Sequence, residues 1–213
     1  MNINEKQTKS KSRVRDHGEV FTAEREVNAM LDLVKNETER IDSRFLEPAC
    51  GNGNFLMKIL ERKLNVVDGA YKRSQWDWEI HAMVAASSLY GVELLKDNVE
   101  ECQNRLFDYF KQRYKVLYKT KISSRYLESV LYIFRKNIVC GDALTLLKND
   151  GTPIIFSEWG FAGSKVTRRD FTMSNLLESS QKQSQETLIP EEKLPVPVKQ
   201  YPAVSYLEIK NYA

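Results

Sequence analysis

Apolar residues near the start of the chain recur at helical spacing, interrupted by one short strand-like run. Residues 21–34 have apolar positions every three or four residues, which predicts an amphipathic helix with Thr22 as its N-cap. Residues 44–47 are mostly apolar and precede Pro48, which predicts a strand followed by a sharp turn. Helical spacing returns from Phe55 onward. The order is therefore strand, glycine-containing turn and helix.

The alternation of strands and helices continues to about residue 147. The pattern predicts a loop at 65–78, a helix at 79–89, a strand at 90–94, a long helix at 97–115, a helix at 126–134 and a strand at 137–140. Strands that alternate with helices are typical of parallel βαβ units. The sequence therefore predicts an α/β fold built around a doubly wound, mostly parallel sheet.

The last third of the chain has a different pattern. Residues 153–161 predict a strand, with residues 169–171 as part of a possible second hairpin arm. Residues 178–200 are rich in Ser, Gln, Glu, Lys and Pro, as linkers are, and residues 204–209 return to a strand-like pattern. The predicted organisation is a mobile arm at 1–16, a main domain at 17–177, and a tail at 178–213 whose terminal strand is a candidate for docking to a partner.

Composition narrows the class of protein. Hydrophobic residues make up 42% of the 213 positions, enough for one domain with a core. No stretch approaches the roughly 20 apolar residues of a membrane span, and the polar N-terminus does not read as a secretion signal. We therefore expect a cytoplasmic protein with reduced cysteines. No Cys/His pair has zinc spacing, so no metal site is expected.

The strongest chemical signal lies at residues 45–56, which read Phe-Leu-Glu-Pro-Ala-Cys-Gly-Asn-Gly-Asn-Phe-Leu. The predicted strand delivers Glu47 at its carboxyl end, and Gly51 and Gly53 let the backbone pass close to a ligand. The helix that follows points backbone N–H groups at the same crevice. Ligands bind at this edge of open α/β sheets, so the string predicts a ligand site; a tight turn without a ligand is the alternative.

Two later carboxylates follow predicted strands. Glu93 could accept both hydroxyls of a ribose, in a nicotinamide cofactor as well as in an adenosyl one. The dinucleotide-binding glycine pattern is absent, because its third glycine position is Phe55. Asp142 could accept a hydrogen bond from an exocyclic amine; N-capping of the next helix is the alternative.

The string at residues 45–56 resembles motif I of the class I S-adenosylmethionine-dependent methyltransferases. Its form, EPACGNGNFL, resembles the adenine-specific (amino) DNA methyltransferases of restriction–modification systems. Three further stretches follow that family's order. Residues 17–22 (HGEVFT) resemble motif X, which packs around the methionine end of the cofactor. Residues 91–94 (GVEL) resemble motif II, whose acid binds the ribose, and residues 140–143 (CGDA) resemble motif III, whose Asp binds the adenine amino group.

The resemblance implies a class I methyltransferase fold with S-adenosylmethionine as cofactor and adenine in DNA as methyl acceptor. The residues it implies for cofactor binding are His17, Gly18, Val20, Phe21, Thr22, Glu47, Pro48, Ala49, Cys50, Gly51, Asn52, Gly53, Glu93, Leu94, Asp142 and Ala143. The family's catalytic motif IV, a polar residue followed by Pro-Pro and an aromatic residue, holds the flipped base. None of the six prolines is adjacent to another, so that motif is absent and the catalytic residues are unknown.

The expected place of motif IV is occupied by residues 156–161, FSEWGF. Trp159 could stack on a base, but a packed tryptophan is more common. Three explanations stay open: a split enzyme whose separate chain carries motif IV and the DNA-reading domain, a truncated or decayed relative, and a non-catalytic regulatory or assembly subunit. We favour the split enzyme because all four cofactor motifs are retained, and because no target recognition domain fits the remaining length.

Overall fold

The computed structural model describes residues 8–183 and 195–212. The helices there are α1 (Lys11–His17), α2 (Glu24–Asp32), α3 (Lys35–Thr38), α4 (Asn54–Tyr71), α5 (Gln75–Ser87), α6 (Lys96–Tyr118), α7 (Ser124–Asn137) and α8 (Met173–Gln183). The strands are β1 (Phe45–Glu47), β2 (Leu89–Glu93), β3 (Ile138–Cys140), β4 (Ile155–Ala162), β5 (Lys165–Thr172) and β6 (Lys199–Ser205). A short 3₁₀ helix, Ile209–Asn211, follows β6.

The first three strands form a parallel sheet in the order β1-β2-β3. Glu47 is in register with Gly91, and Glu93 with Cys140, so the carboxyl ends of the strands meet at one edge. An α/β fold with a parallel sheet is thus confirmed. The prediction of one mostly parallel sheet is wrong, because β4, β5 and β6 form a separate antiparallel sheet.

The two faces of the parallel sheet pack against different layers. Leu89 belongs to the large core that the helices form on one face. Tyr90 and Val92 point to the opposite face, where they pack with Phe156 of β4 and Met173 of α8. This alternation along β2 follows from the two-residue period of a strand. The short parallel sheet is therefore buried on both faces although only one face is covered by α4 to α7.

The antiparallel sheet includes β6, the last strand of the described residues. β4 and β5 form the hairpin that the sequence indicated, and β6 pairs with β5 through Val166 and Val204. The hydroxyl of Tyr206 then donates to Glu79 on α5 at 2.7 Å. The strand predicted at 204–209 is corrected to Lys199–Ser205, because Ile209–Asn211 form the 3₁₀ helix. This strand completes the chain's own antiparallel sheet, so the prediction of a separate tail at 178–213 is corrected as well. Residues 184–194 of the predicted linker lie outside the described residues.

The loop predicted at 65–78 is instead mostly helical. α4 continues to Tyr71 and α5 begins at Gln75 after the N-cap Ser74. Val67 and Trp78 are fully buried, and the Trp78 indole N–H donates to Asp68 at 2.7 Å. The polar and aromatic composition was misleading because Trp78 packs in the core and Asp68 accepts a hydrogen bond from its indole, whereas Trp76 stays exposed.

The N-terminal region also departs from the prediction. A mobile arm was expected through residue 16, but Lys11–His17 form α1, with Ser10 accepting from the Arg13 N–H as N-cap and Gly18 in the left-handed conformation as C-cap. Residues 1–7 of that arm lie outside the described residues. α2 begins after Ala23, which replaces Thr22 as the N-cap because the chain is still extended there.

Candidate functional site

A cavity of about 630 Å³ lies at the carboxyl ends of the three parallel strands. Its size suits a small-molecule ligand. The lining residues are Gly18, Glu19, Val20, Phe21, Thr22, Glu47, Pro48, Ala49, Cys50, Gly51, Asn52, Asn54, Phe55, Glu93, Leu94, Leu95, Asn98, Gly141, Asp142, Ala143 and Leu144. Four separate stretches of sequence therefore meet around one space.

The residues predicted for cofactor binding whose side chains are described line this cavity, except Gly53. With φ at +89°, Gly53 precedes α4, and a Cβ there would lie 2.5 Å from Cys102 Sγ on α6. The bare backbone of Gly53 thus serves helix packing rather than ligand approach. His17 is the last residue of α1, and its side chain lies outside the described part of the chain.

The structure adds lining residues that the sequence reasoning missed. Glu19, Asn54, Phe55 and Gly141 lie inside the motif-like stretches, and Leu95 and Leu144 each follow one by a single position. Asn98 is different, because it lies in the first turn of α6 and belongs to none of the motifs. Only the fold brings Asn98 to the cavity.

Glu93 is held at the end of β2 by backbone donors. Its Oε2 accepts the Gly51 N–H at 2.9 Å, and its Oε1 accepts the Leu95 N–H at 2.9 Å. A carboxylate has about four acceptor positions, so Oε2 can still accept another hydrogen bond, whereas Oε1 also lies 3.5 Å from Asn98 Nδ2. Glu93 is therefore a pre-positioned acceptor for a hydroxyl donor.

Gly51 forms the closest approach of the backbone to the N-terminal segment. Its φ of +52° is a left-handed conformation, and a Cβ there would lie 3.2 Å from the Phe21 ring. The Cys50 N–H, one residue earlier, donates to Val92 O at 2.9 Å and so ties the turn to β2. A side chain at Gly51 would push Phe21 away and strain the turn.

Glu47 is the carboxylate at the end of β1. Burial raises its pKa above the ordinary glutamate value, and a hydrogen bond from the Ala49 backbone N–H offsets part of that effect. In the described part of the chain, no lysine or arginine forms an ion pair with Glu47. A half-buried carboxylate without a cationic partner favours a bound cation.

Asp142 follows β3 and also lines the cavity. Its Oδ1 accepts the Leu144 N–H at 2.8 Å, two residues along, as in an Asx turn. The described residues after Asp142 form turns and isolated bridges rather than a helix. The N-cap alternative for Asp142 is therefore wrong.

The charged side chains in the described lining of the cavity are all acidic. Its described lining contains the carboxylates Glu19, Glu47, Glu93 and Asp142 and no lysine, arginine or histidine. The Asn52 Oδ1 atom is buried there without a hydrogen-bond partner among the described atoms. This arrangement favours a cationic ligand that donates hydrogen bonds, and it disfavours a phosphate group.

Trp159 occupies the position where the resemblance would place the base-stacking residue. The side chain is buried, and its indole N–H donates to Asn137 Oδ1 at 3.2 Å. Its ring also packs edge-on against Tyr132. Trp159 is therefore a packed residue of the antiparallel sheet, which is the alternative to base stacking that the sequence analysis named as more common.

Two features, a metal-binding cluster and a membrane-spanning helix, are absent from the described residues, 8–183 and 195–212. No cluster of three or more His, Cys, Asp or Glu side chains there could hold a metal ion. No helix in the same residues combines the length and apolar character that a membrane crossing requires. Comparisons of the chain with protein-family models, curated proteins and solved structures give no match.

Proposed function

We propose that this chain is the S-adenosylmethionine-binding part of a DNA adenine methyltransferase of a restriction–modification system. It would act together with a separate chain that carries the Asn-Pro-Pro-aromatic motif and the DNA-reading domain. The single observation that carries this proposal is the acidic cavity at the carboxyl edge of the parallel sheet, where the four motif-like stretches converge.

The chemistry of the lining fits the cofactor. S-adenosylmethionine is a cation with a sulfonium and an ammonium group, and it has no pyrophosphate. Glu47 supplies a half-buried carboxylate without a lysine or arginine partner among the described residues, and the Asn52 Oδ1 atom supplies an unused acceptor. A nicotinamide dinucleotide would bring two phosphates into a cavity whose described lining holds no cation. These contacts favour the adenosyl sulfonium over the dinucleotide.

Each carboxylate has a distinct proposed task. Glu93, fixed by the Gly51 and Leu95 amides, would accept the ribose hydroxyls. Asp142 would accept the exocyclic amine of the cofactor's adenine, and Glu47 would face the methionine portion. When bound, the cofactor supplies a methyl group already activated for transfer, so this chain's contribution is positioning and electrostatics.

Two features support a separate chain rather than an independent enzyme. No strand in the described residues pairs with the outer edge of β1, where Leu46 is exposed. At the mouth of the cavity, Val20, Leu94 and Leu144 are exposed apolar residues. An open strand edge and an apolar rim are typical of surfaces that another segment covers.

A non-catalytic S-adenosylmethionine-binding subunit is the second candidate, and the absence of any Pro-Pro pair favours it. A decayed fragment belongs to the same candidate, since it too would bind the cofactor without transferring a methyl group. Both candidates require the cavity to bind the cofactor, so binding is the first test and methyl transfer is the second.

Binding is tested by calorimetry with S-adenosylmethionine and S-adenosylhomocysteine. Glu93→Ala and Asp142→Ala are each expected to weaken binding by about 1–3 kcal/mol, the scale for hydrogen bonds in a buried polar site. Glu100→Ala is the matched control, because the Glu100 side chain is 60% exposed and its ion pair within the described residues is with Lys96 of the same helix. Unchanged affinity in both cavity variants would contradict the site, and a thermal shift with NAD instead would favour an oxidoreductase.

Methyl transfer is tested with labelled cofactor and adenine-containing duplex DNA. The chain alone should transfer no methyl group, and adding the chain encoded next to it should give methylated adenine. The neighbouring reading frame should then encode an Asn-Pro-Pro-aromatic string. Cofactor binding without transfer in any combination would favour the non-catalytic subunit.

A further inference from the structure

The N-terminal segment is fastened to the first turns of α6 by ion pairs. Arg13 donates to both Glu19 oxygens at 2.6 and 2.8 Å and to both Asp97 oxygens at 2.8 and 3.1 Å. Lys9 lies 2.6 Å from Glu101 and 3.3 Å from Asp97. We call these five residues the N-terminal clamp. Two bidentate contacts from one guanidinium fix both the distance and the orientation of α1.

The clamp continues to the cavity through Asn98, whose residue surface is fully buried. The Asn98 Oδ1 atom accepts from Lys9 at 2.6 Å, and its Nδ2 atom donates to Glu19 Oε1 at 2.6 Å. The same Nδ2 atom lies 3.5 Å from Glu93 Oε1. One buried amide thus connects two clamp residues with the carboxylate proposed to bind the ribose.

Residues 18–22, which we call the strap, run from α1 along the cavity. Gly18, Glu19, Val20, Phe21 and Thr22 all line it. The far end of the strap is fixed because the Asn54 side chain donates to Thr22 O at 2.9 Å. The near end is fixed by the clamp. The strap and Glu93 therefore line the same cavity, and a ligand there would lie against both.

The charges of the clamp keep it formed at neutral pH. Hydrogen bonds from Arg13 are the main cause that lowers the pKa of Glu19 and of Asp97, so both stay ionised. The Glu19 side chain is only 6% exposed, whereas that of Asp97 is 53% exposed. Added salt will screen the exposed pair much more than the buried one.

We propose that Arg13 and Asn98 are positioning residues that couple the docking of α1 to ligand binding, by holding the strap and Glu93 in their ligand-binding arrangement. This inference rests on the proposed cofactor site. Because linkage is reciprocal, a ligand that contacts the strap and Glu93 must also stabilise the docked α1. Glu19, between Arg13 and Asn98, is the residue through which both effects pass.

The affinity test uses S-adenosylhomocysteine and calorimetry. Arg13→Ala should weaken binding about tenfold, within the usual range of coupling between sites, and Arg13→Lys should restore part of the loss. Arg15→Ala is the matched control on the same helix, because the Arg15 side chain is 78% exposed and forms its ion pair within the described residues with its neighbour Asp16. Raising the salt from about 50 to about 500 mM should reduce the effect of Arg13→Ala.

A proteolysis test reads the coupling from the other side. Endoproteinase Glu-C cleaves after glutamate, and the Glu19 side chain is nearly buried while the clamp is formed. Cleavage after Glu19 should be faster in Arg13→Ala than in the wild type or Arg15→Ala. Saturating S-adenosylhomocysteine should slow that cleavage in the wild type. A purely structural clamp would show the first effect but not the second.

The two proposals fail in distinguishable ways. A wild-type chain that binds neither S-adenosylmethionine nor S-adenosylhomocysteine overturns the proposed function and, with it, the coupling. A wild-type chain that binds with the same affinity as a folded Arg13→Ala variant overturns the coupling alone. Ligand that leaves the rate of cleavage after Glu19 unchanged also overturns the coupling alone.

Discussion

The antiparallel sheet pairs its buried charges with each other, whereas the carboxylates at the edge of the parallel sheet face a cavity without a lysine or arginine in its described lining. In the antiparallel sheet, Arg168 donates to both Asp170 oxygens at 2.7 and 2.6 Å, and Ser157 donates to Asp170 Oδ1 at 2.8 Å. At the edge of the parallel sheet, Glu47 and Glu93 contact backbone amides, and no lysine or arginine in the described residues lines the cavity with them.

The difference distinguishes structural charge from functional charge. A buried ion pair whose hydrogen bonds are satisfied within the chain leaves nothing for a ligand to do. Half-buried carboxylates that border a cavity whose described lining holds no cation leave the interaction incomplete until a ligand supplies it.

Removing one partner of the paired charge should have the largest effect. Arg168 is only 3% exposed, so Arg168→Ala leaves Asp170 buried without its cation. We expect the free energy of unfolding to fall by about 3–5 kcal/mol, measured by urea denaturation. The neighbouring Arg169→Ala is the control, because the Arg169–Glu158 pair lies at the surface and should contribute less than about 1 kcal/mol. Equal losses in both variants would contradict the structural role of the pair.

The second-largest loss of stability is expected from a substitution in the glycine turn between β1 and α4. Gly53→Ala combines a positive φ with a Cβ that would lie 2.5 Å from Cys102 Sγ. Gly151→Ala shares the positive φ, but no atom lies within 4 Å of its Cβ. We expect losses of about 3 kcal/mol for Gly53→Ala and about 1 kcal/mol for Gly151→Ala in thermal or urea unfolding. Similar losses would show that the close packing of α6 against the turn is unimportant.

Neutralising the unpaired carboxylate should separate stability from ligand binding. The pKa of Glu47 is raised by burial, so the folded chain binds its proton more tightly than the unfolded chain does. Stability from this group is therefore largest below the ordinary glutamate pKa and falls as pH rises through the raised pKa. Glu47→Gln should stabilise the fold at pH 7 by less than about 1 kcal/mol and should reduce this pH dependence.

The same Glu47→Gln variant should bind S-adenosylmethionine more weakly than the wild type does. In the wild type, affinity should fall as pH is lowered through the raised pKa of Glu47, because the protonated carboxyl no longer attracts the cation. Calorimetry over a pH series measures both effects. A variant that is more stable and binds equally well would mean that Glu47 does not face the ligand.

The smallest effect on stability is expected at the rim of the cavity. Leu144 is 94% exposed, so Leu144→Ser should change the free energy of unfolding by no more than about 0.5 kcal/mol. Cofactor affinity should also be close to that of the wild type. Methyl transfer with the partner chain should nevertheless decrease, because the apolar rim would contact that chain. Full activity would remove Leu144 from the proposed contact surface.

Much of the parallel region could be predicted from local signals. Pro48 and the glycines Gly51 and Gly53 mark where β1 ends and α4 begins, because their backbone preferences act within a few residues. The apolar period also located α6 and α7 to within a few residues of their observed bounds. The cavity then follows from parallel strands, whose carboxyl ends meet at one edge.

The failures occur where long-range contacts override composition. The region around Trp78 reads as a polar and aromatic loop, but its indole is fully buried among helices. The segment containing Arg13 reads as a mobile basic arm, but carboxylates far along the chain hold it in place. β6 begins in the segment predicted as a linker and ends in the strand predicted at 204–209, and it pairs with β5. In each case the partner is distant in sequence.

Local patterns in the sequence are enough to predict the alternation of strands and helices, the glycine turn, and the carboxylates that follow the strands. These features depend on backbone preferences and periodicity, which act over a few neighbouring residues. Tertiary contacts alone pair Arg168 with Asp170 and bring Asn98 between the N-terminal clamp and Glu93. They also leave Glu47 without a lysine or arginine partner among the described residues. The balance of buried charge depends on which distant residues meet, and only the folded chain fixes that.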